Sequence, residues 1–389
     1  MRIRVLAFFL SVALFIVLAE VGAFLAGTYM IPGTPLAFVL YNRRLEPDRE
    51  KVARYFAQRD PELGWPSRDF LGTSLFDVTG ARPLPGFPHT AEPCVSVYGD
   101  SYSYSSDVGP VDAWSNLVAQ RLGCRVANYG VSGYGTDQAY IRFRNNPRDK
   151  VRVAVLGVAT VDIMRLVNQD RSLLWPVEQG LLLKPRFTIA DDARLSLIDI
   201  PRIGITELTR YREQPGHYLK HEWFMPGTLD GPAVFEMPYS IALLRGLANP
   251  RVANKLLGKP SWIQFYDPDH PSGALPLLVR ITEEFVRLAM QRGTRPLILI
   301  IPTSQDIVYA RKEGRDPVAS YVEALRDRHI EHINLLPGLL RHLGKADVCT
   351  LFRGKTWLGF CWGHYNAEGE KLIASLVYET LRQQDISGP

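Results

Sequence analysis

Two short apolar runs each end in a glycine-containing turn that carries hydroxyl and amide groups. The first run, residues 95–98, is followed at once by Gly99-Asp100-Ser101-Tyr102. The second run, residues 125–128, leads into residues 129–137, a loop with three glycines and a serine. Because the carboxyl ends of neighbouring parallel strands meet at one edge of a sheet, we expect both turns at the same place. A serine hydroxyl beside open backbone amides suits nucleophilic attack on a carbonyl group.

A third block of chemical interest lies near the C-terminus. Residues 363–369 read Gly-His-Tyr-Asn-Ala-Glu-Gly and open a helical pattern. Together with Gly-Asp-Ser after the first run and Asn-x-Gly-x-Ser-Gly after the second, this block resembles the SGNH/GDSL hydrolase superfamily. A lone Gly-Asp-Ser is weak evidence, because turns favour these residues, but three blocks in order are much stronger. The resemblance covers residues 92–389 and implies an α/β fold with a flavodoxin-like, doubly wound parallel sheet.

The resemblance also implies roles for individual residues. Ser101 is the candidate nucleophile, and His364 is the candidate base that takes its proton. The backbone N–H groups of Ser101 and Gly133 are the candidate donors of an oxyanion hole. The alternative for Ser101 is a structural turn or cap serine. Asp100 is expected to bond the amides of the same turn rather than to act in catalysis.

One departure from the family concerns the oxyanion hole. The family adds an asparagine side chain after the third strand, but residues 156–163 contain no asparagine. Thr160 or Asp162 occupies that neighbourhood, and a carboxylate repels an oxyanion unless it is protonated. The loss of such a donor costs roughly 3–4 kcal/mol of transition-state stabilisation in a well-studied protease. This departure weakens the expectation of strong esterase activity.

A second departure concerns the acid of the catalytic triad. The family places an aspartate two or three residues before the histidine, where this chain has Cys361-Trp362-Gly363. The acid orients the imidazole and stabilises its charged form. Either a backbone carbonyl does this in a Ser–His dyad, or another acid reaches the histidine. Asp306 and Asp347 are the candidates for that acid.

The region that resembles the family alternates strand and helix patterns, which indicates a parallel sheet covered by helices on both faces. Strands are predicted at residues 94–98, 125–128, 151–158, 296–301 and 332–335. Helices are predicted at residues 112–122, 136–144, 272–292, 317–329 and 366–383. The alternation lapses at about residues 165–271, which indicates a large, partly helical insertion. Its aromatic side chains suit either a sugar-stacking surface or an aromatic core of the insertion: Trp175, Trp223, Phe224, Trp262, Phe265 and Tyr266.

The N-terminus carries a membrane signal. Arg2 and Arg4 precede an apolar segment that continues to Met30 with Glu20 as its one charge, and this length is enough to cross a bilayer. An uncleaved signal anchor is favoured because the apolar character continues past Val21-Gly22-Ala23, the site at which a signal peptide would be cut. The predicted organisation is therefore a transmembrane anchor at 1–30, a stalk and lead-in at 31–91, and the hydrolase-like domain at 92–389.

Export makes the four cysteines informative, because disulfides persist outside the cytoplasm. In the fold that the resemblance implies, Cys94 and Cys124 begin two adjacent parallel strands. Cys349 and Cys361 flank the loop before the candidate histidine. The predicted pairs are Cys94–Cys124 and Cys349–Cys361, and the alternative is four unpaired buried thiols.

Composition limits the partners of the chain. A net charge of +5 in 389 residues, without a basic run, does not indicate nucleic-acid binding. No cluster of His, Cys and acidic residues has the spacing of a metal site, so no metal is expected. The glycine-rich loop lacks the Lys-Ser/Thr of a phosphate-binding loop, and no cofactor is expected.

The sequence thus predicts a single-pass protein of a bacterial inner membrane, with a serine hydrolase domain in the periplasm. Its expected substrate is an acylated carbohydrate, with acetyl esters of a surface or secreted polysaccharide as the favoured class. Water as the acceptor makes the protein an esterase, whereas a sugar hydroxyl makes it an O-acetyltransferase. The alternative from another class is a degenerate member that binds polysaccharide or scaffolds an export or modification complex. The missing asparagine and aspartate favour that alternative.

Overall fold

The chain folds into two compact units. A computed structural model describes residues 2–32, 34–43, 48–175, 181–357 and 359–383. The α/β unit comprises Arg59–Val167, Pro185–Ile200 and Gly258–Pro389. The helical unit comprises Met1–Gln58, Asn168–Lys184 and Pro201–Leu257.

A five-stranded parallel sheet forms the centre of the α/β unit. Its strands in chain order are β1 Pro93–Tyr98, β2 Arg125–Asn128, β3 Val153–Ala159, β4 Arg295–Ile301 and β5 His332–Asn334. The spatial order is β2-β1-β3-β4-β5, and every neighbouring pair is parallel. This is the flavodoxin-like order, in which ligands bind beyond the carboxyl ends of the strands. The predicted fold class is therefore confirmed.

Helices cover both faces of this sheet. Alternate strand residues point to opposite faces, so Val97 joins one core while the ring of Tyr98 packs on Phe143 at a centroid distance of 5.2 Å. Four helices bury apolar residues in the core that contains Val97: Trp114–Leu122, Ser304–Glu313, Leu336–Leu343 and Ala367–Gln383. Three helices lie on the Tyr98 side: Thr136–Arg144, Ala274–Gln291 and Ala319–Asp327.

Two hairpins were not predicted from the sequence. One pairs Arg186–Ile189 with Leu195–Ile198, inside the region read as an insertion. The other pairs Phe352–Lys355 with Cys361–Tyr365, and it places His364 in a strand. Residues 352–365 are rich in aromatic residues and show no regular alternation that would predict a strand. The pairing is irregular as well, with a register shift between Phe352 and Gly354.

Both predicted disulfides are present. Cys94–Cys124 joins the chain at the beginning of β1 to the residue before β2, with a Cα–Cα distance of 6.0 Å. Cys349–Cys361 joins the 3₁₀ turn before the hairpin that carries His364 to the first residue of the second strand, with a Cα–Cα distance of 5.0 Å. Two covalent links therefore fix the elements on which the three sequence blocks lie.

The compact units divide the chain differently from the predicted organisation. The lead-in from residue 59 belongs to the α/β unit, whereas residues 31–58 belong to the helical unit together with most of the predicted insertion. Hydrogen bonds explain why the lead-in from residue 59 belongs to the α/β unit. Gln138 donates its side-chain amide to the Leu63 carbonyl at 2.7 Å, and Arg82 donates to the Ser105 carbonyl at 2.8 Å.

The helical unit contains the N-terminal apolar helix, Arg2–Leu25, which continues as a π-helical turn to Met30. Residues 3–30 form one helix long and apolar enough to cross a membrane. A two-residue parallel pair, Leu40–Tyr41 with Ala233–Val234, is the sheet of this unit. Its other α-helices are Arg49–Gln58, Arg171–Leu174, Leu208–Glu213, Pro215–Tyr218, Tyr239–Leu247 and Pro250–Leu256.

The aromatic side chains between residues 165 and 271 are mostly core residues. Phe224, Trp262, Phe265 and Tyr266 are buried, while Trp175 is exposed. Burial leaves these four rings with no face for a sugar, so the core interpretation applies to them. Exposed aromatic rings occur instead on the hairpin that carries His364.

Candidate active site

Ser101 lies where β1 ends and a short helix, Ser101–Tyr104, begins. Asp100 caps this helix, because its Oδ1 accepts the backbone N–H groups of Tyr102 at 2.9 Å and Ser103 at 3.3 Å. This is the structural role that the sequence predicted for Asp100. The cap holds Ser101 at the carboxyl end of the strand, which is the binding edge of this type of sheet.

His364 lies directly beside the serine. The Nε2 atom of His364 is 2.8 Å from the Ser101 Oγ, which is hydrogen-bonding distance. The ring of Tyr102 packs edge-on against the imidazole at a centroid distance of 4.6 Å. The structure therefore brings together the candidate nucleophile and the candidate base, in the geometry that proton transfer between them requires.

The carboxylate behind the histidine is Asp107, which sequence reasoning missed. Its Oδ2 lies 3.2 Å from Nδ1 of His364 and also accepts the backbone N–H of His364 at 2.7 Å. Ser101, His364 and Asp107 thus form a serine–histidine–aspartate triad by geometry. The two bonds to one oxygen fix both the position and the tautomer of the imidazole, with the proton on Nδ1 and the lone pair of Nε2 facing the serine.

Asp107 stays ionised in this setting. Burial disfavours its charge, but hydrogen bonds from the backbone and imidazole of His364 and from Arg353 outweigh burial and lower the pKa of Asp107 below its usual value. Nη1 of Arg353 lies 2.9 Å from the Asp107 Oδ1. An ionised carboxylate at Nδ1 stabilises the imidazolium that forms when His364 accepts a proton.

A glycine makes room for this acid. Gly363 has φ +79°, and a Cβ on it would lie 2.6 Å from the Asp107 Oδ2. Any other residue before His364 would strain the backbone and displace the carboxylate. The glycine before His364 therefore indicates in the sequence that another group packs closely there. It does not identify that group as Asp107.

The two acids proposed from the sequence are engaged elsewhere, which corrects that expectation. Asp306 is buried and accepts hydrogen bonds from Thr160 at 2.5 Å, from the Thr303 N–H at 2.7 Å and from Trp262 at 3.2 Å. Burial raises the pKa of Asp306 to about 6, although these hydrogen bonds oppose the rise. Asp347 caps a 3₁₀ turn through the amide of Cys349 and pairs with Lys355. Neither carboxylate is the partner of His364.

Gly133 is the candidate oxyanion donor in the glycine-rich loop after β2. It is buried, with φ +87°, and within the described residues its amide donates to no protein acceptor. Asn128 ties its loop to the serine turn, since its side-chain amide donates to the Ser103 carbonyl at 2.8 Å and its Oδ1 accepts the amide of Gly130 at 2.9 Å. The loop that contains Gly133 is thus fixed to the serine turn, and the Gly133 amide has no protein acceptor among the described residues.

Thr160 and Asp162 do not replace the missing asparagine. The Thr160 hydroxyl donates to Asp306, so its proton is committed. Asp162 pairs with the buried guanidinium of Arg165 at 2.5 Å, and Arg165 also contacts the Asp100 Oδ2 at 3.4 Å. The positive charge of Arg165 offsets the charge of Asp162, so this carboxylate repels an oxyanion less than a lone carboxylate would. The sequence carried this signal as an acid and an arginine three residues apart.

The loop that presents Asp107 is held from two sides. Arg82 donates to three carbonyls of this loop: those of Tyr104, Ser105 at 2.8 Å and Val108 at 2.6 Å. Glu370 of the C-terminal helix accepts the Ser105 hydroxyl at 2.8 Å and the Trp114 amide at 2.9 Å. Ser105 itself has φ +64°, an unfavourable value for serine that these contacts maintain.

Glu370 makes stability depend on pH. Burial raises its pKa from 4.5 to about 8 despite its hydrogen bonds. The folded protein then holds a proton that the unfolded chain releases, so this contribution is complete below pH 4.5 and is lost as the pH rises to about 8. Glu370→Gln keeps an oxygen for both hydrogen bonds and removes the titration. Chemical unfolding at pH 5 and pH 8 should show wild type losing about 3–4 kcal/mol more than Glu370→Gln. Equal losses in the two proteins would contradict the assignment.

Trp65 contacts the peptide group that carries the candidate oxyanion donor, the N–H of Gly133. Its Nε1 donates to the Ser132 carbonyl at 3.0 Å, and its ring packs edge-on against Tyr134 at 5.8 Å. The Ser132 carbonyl and the Gly133 N–H belong to one peptide plane and point in opposite directions. A donor at the carbonyl therefore orients the N–H and strengthens it as a donor.

Trp65→Phe keeps an aromatic ring but removes the indole N–H that donates to the Ser132 carbonyl. We expect kcat to fall about fivefold, since one hydrogen bond is worth about 1 kcal/mol, with KM unchanged. Steady-state kinetics with a small activated ester measure both constants. A rise in KM at constant kcat would instead make Trp65 a contact of the substrate.

The structure offers one cluster with the composition of a metal site among its described residues, formed by Asp347, Cys349 and Cys361. Both cysteines of this cluster are joined in a disulfide, so their sulfurs are not thiolate ligands. This cluster therefore does not fit a metal ion.

The sequence matches no protein-family model and no curated protein sequence. Three solved structures illustrate what the fold is similar to. A member of the lipolytic G-D-S-L family from Veillonella parvula shares 11% identity over 74% of this chain and 97% of its own, with a TM-score of 0.37. An acetyl xylan esterase shares 10% identity over 74% and 98%, with a TM-score of 0.37. A psychrotrophic esterase from Pseudoalteromonas sp. shares 11% identity over 75% and 97%, with a TM-score of 0.33.

The sheet order and the position of the serine define the class of fold. A flavodoxin-like sheet carries Ser101 after β1 and the glycine-rich loop after β2, and His364 precedes the last helix. The α/β unit therefore has the flavodoxin-like, doubly wound fold that the resemblance of the three sequence blocks implied.

Proposed function

We propose that this protein is a serine-dependent acyl-ester hydrolase that removes acetyl groups from a carbohydrate. The observation that carries the proposal is the continuous hydrogen-bonded series from Ser101 Oγ through His364 to Asp107. A serine hydroxyl becomes a nucleophile when a base takes its proton and an acid orients that base. All three groups are present although the family spacing of the acid is not.

The reaction follows from the geometry. The Ser101 Oγ attacks the ester carbonyl while its proton passes to Nε2 of His364, and the oxyanion is held by the N–H groups of Ser101 and Gly133. Collapse of the tetrahedral intermediate breaks the ester C–O bond, and the departing alcohol takes the proton from Nε2. Water then attacks the acyl-serine with His364 as its base, which releases the carboxylic acid and restores Ser101.

Hydrolysis is favoured over transfer by the accessibility of the base. The side chain of His364 is 26% exposed, so water reaches the imidazole that must activate it. An O-acetyltransferase would use the same acyl-serine and a sugar hydroxyl as acceptor. The two activities therefore differ only in the acceptor.

A carbohydrate substrate is supported by exposed aromatic rings near the site. Trp357, Phe360 and Trp362 are exposed on the hairpin that carries His364, and the guanidinium of Arg353 lies 5.2 Å from the Trp362 ring centroid. Ring faces are electron-rich and suit the C–H faces of sugars. Three such rings on the hairpin of the base would hold a sugar chain whose ester enters the site.

Removal of one ring tests this substrate class. Trp357→Ala should raise KM for an acetylated oligosaccharide about tenfold, since the lost apolar contact is worth ~1–2 kcal/mol. KM for p-nitrophenyl acetate, which is too small to reach the ring, should stay unchanged. Equal effects on both substrates would contradict a role of the hairpin in sugar binding.

The location proposed is a bacterial inner membrane, with residues 3–30 as a single span and the α/β unit in the periplasm. Arg2 and Arg4 place the N-terminus of the helix on the cytoplasmic side by the positive-inside rule. Two disulfides support an oxidising compartment for the rest of the chain.

The activity is tested by incubating the purified protein with an O-acetylated oligosaccharide, with and without an unacetylated acceptor, and by measuring free acetate and newly acetylated acceptor. Free acetate in both incubations establishes the esterase. Acetylation of the acceptor in place of acetate release establishes the acetyltransferase. Tight binding of the oligosaccharide without either product overturns the catalytic proposal in favour of a binding or scaffold role.

A further inference from the structure

The helix Tyr239–Leu247 of the helical unit has an apolar face that no part of the described chain covers. Ile241 and Leu244, three residues apart on one side of the helix, are exposed, and so is Met237 just before the helix. The opposite side, with Ala242 and Gly246, is buried. The next helix, Pro250–Leu256, ends in two further exposed apolar side chains, Leu256 and Leu257.

This helix is fixed to the distal end of the N-terminal apolar helix. The Glu20 carboxylate accepts the backbone N–H groups of Tyr239 at 2.6 Å and Ser240 at 3.2 Å, and it also accepts the Ser240 hydroxyl. The ring of Phe24 packs on Tyr239 at a centroid distance of 5.1 Å. A Cβ on Gly27 would lie 2.3 Å from the ring of Phe235. The contact is therefore close and directional.

The position of Glu20 sets the depth of this contact. At 1.5 Å per residue, Glu20 lies about 24 Å along the helix from Arg4, whereas the hydrocarbon core of a bilayer is about 30 Å thick. If the helix crosses with Arg4 at one surface, Glu20 is about 6 Å inside the opposite edge of the hydrocarbon. A carboxylate at this depth needs partners, and the first turn of Tyr239–Leu247 supplies them.

We infer that the helix Tyr239–Leu247 lies in the outer interface of the same bilayer, with Met237, Ile241 and Leu244 in contact with lipid. The exposed face is continuous with the span through Glu20 and Phe24, and lipid is the partner that covers a span at this depth. Arg245 is exposed at the edge of this face, where its long side chain reaches the headgroups. The inference rests on the proposed membrane span and is independent of the proposed chemistry.

Single cysteines in the full chain test the inference. Leu244→Cys, Phe15→Cys and Met290→Cys replace side chains of similar exposure, 67%, 72% and 66%. The proteins are reconstituted into phosphatidylcholine–phosphatidylglycerol vesicles without reductant, so that both native disulfides stay intact. Reaction with a charged, membrane-impermeant maleimide is followed by intact mass. Thiols in lipid react slowly because the reactive thiolate is disfavoured there. Leu256→Cys provides a second exposed apolar position, on the next helix, and far-UV circular dichroism checks folding.

We expect the thiol at position 244 to react at least about tenfold more slowly than the thiol at position 290, and at a rate close to that at position 15, because placing charge in the bilayer is costly. Slow reaction at position 15 with fast reaction at positions 244 and 256 would overturn the inference and leave the span intact. Fast reaction at position 15 in folded protein would overturn both the span and the inference.

Discussion

Ser101→Ala and His364→Ala should each abolish ester hydrolysis, with kcat lowered about a million-fold by either change. The reason is that nucleophile and base act as one unit: without the imidazole at 2.8 Å the hydroxyl keeps its proton, and without the hydroxyl the imidazole has nothing to activate. The double variant should therefore be no slower than either single variant. Steady-state hydrolysis of p-nitrophenyl acetate measures all three.

Ser375→Ala is the matched control for this series. Ser375 is half-buried on the C-terminal helix, where its hydroxyl accepts from Arg121 at 3.0 Å. Its replacement should leave kcat and KM at wild-type values. Losses that multiply in the double variant would show that Ser101 and His364 do not act in one step, and would contradict the assigned roles.

Asp107→Asn should lower kcat about 10⁴-fold while leaving the fold intact. The amide has the shape of the carboxylate but no charge, so it neither stabilises the imidazolium nor holds the proton on Nδ1 of His364. The change replaces one oxygen by an NH2 group of similar size, so the packing around position 107 is kept. KM should change little, since Asp107 lies behind the base.

Asp347→Asn is the comparison that distinguishes Asp107, the acid found in the structure, from Asp347, an acid proposed from the sequence. Asp347 is exposed and paired with Lys355, so its replacement should change kcat less than about twofold, on the scale of an exposed ion pair. A large loss in Asp347→Asn together with an active Asp107→Asn would contradict the triad and return the role to a residue named from the sequence.

The elements of the fold were predictable because their signals are local. The bounds of a strand and a helix, residues 125–128 and 136–144, were predicted as the structure shows them. The spacing of apolar residues distinguishes a buried strand from the helix that follows it. The helix Ser304–Glu313 was missed because its sequence is polar on most sides, and only its capping box, Thr303 with Asp306, marks its start.

The acid of the site could not be predicted because it depends on tertiary contacts. Asp107 follows Ser101 closely in the chain, but nothing in that spacing shows that a loop held by Arg82 and Glu370 turns it toward a hairpin 257 residues away. The family places this aspartate two or three residues before the histidine. That spacing was misleading here, because the acid lies far from His364 in the sequence. What the sequence offered instead was Gly363, whose missing side chain leaves room for the carboxylate.

Labelling by a fluorophosphonate tests most directly whether Ser101 is an activated nucleophile. Purified full-length protein is treated with the reagent, analysed by intact mass, and digested to map the adduct, alongside Ser101→Ala, His364→Ala and Asp107→Asn. We expect one phosphonyl group per wild-type chain, located on Ser101, no labelling of the alanine variants and slow labelling of Asp107→Asn. A folded wild-type protein that stays unlabelled, or an adduct on another residue, would contradict an activated serine at this site.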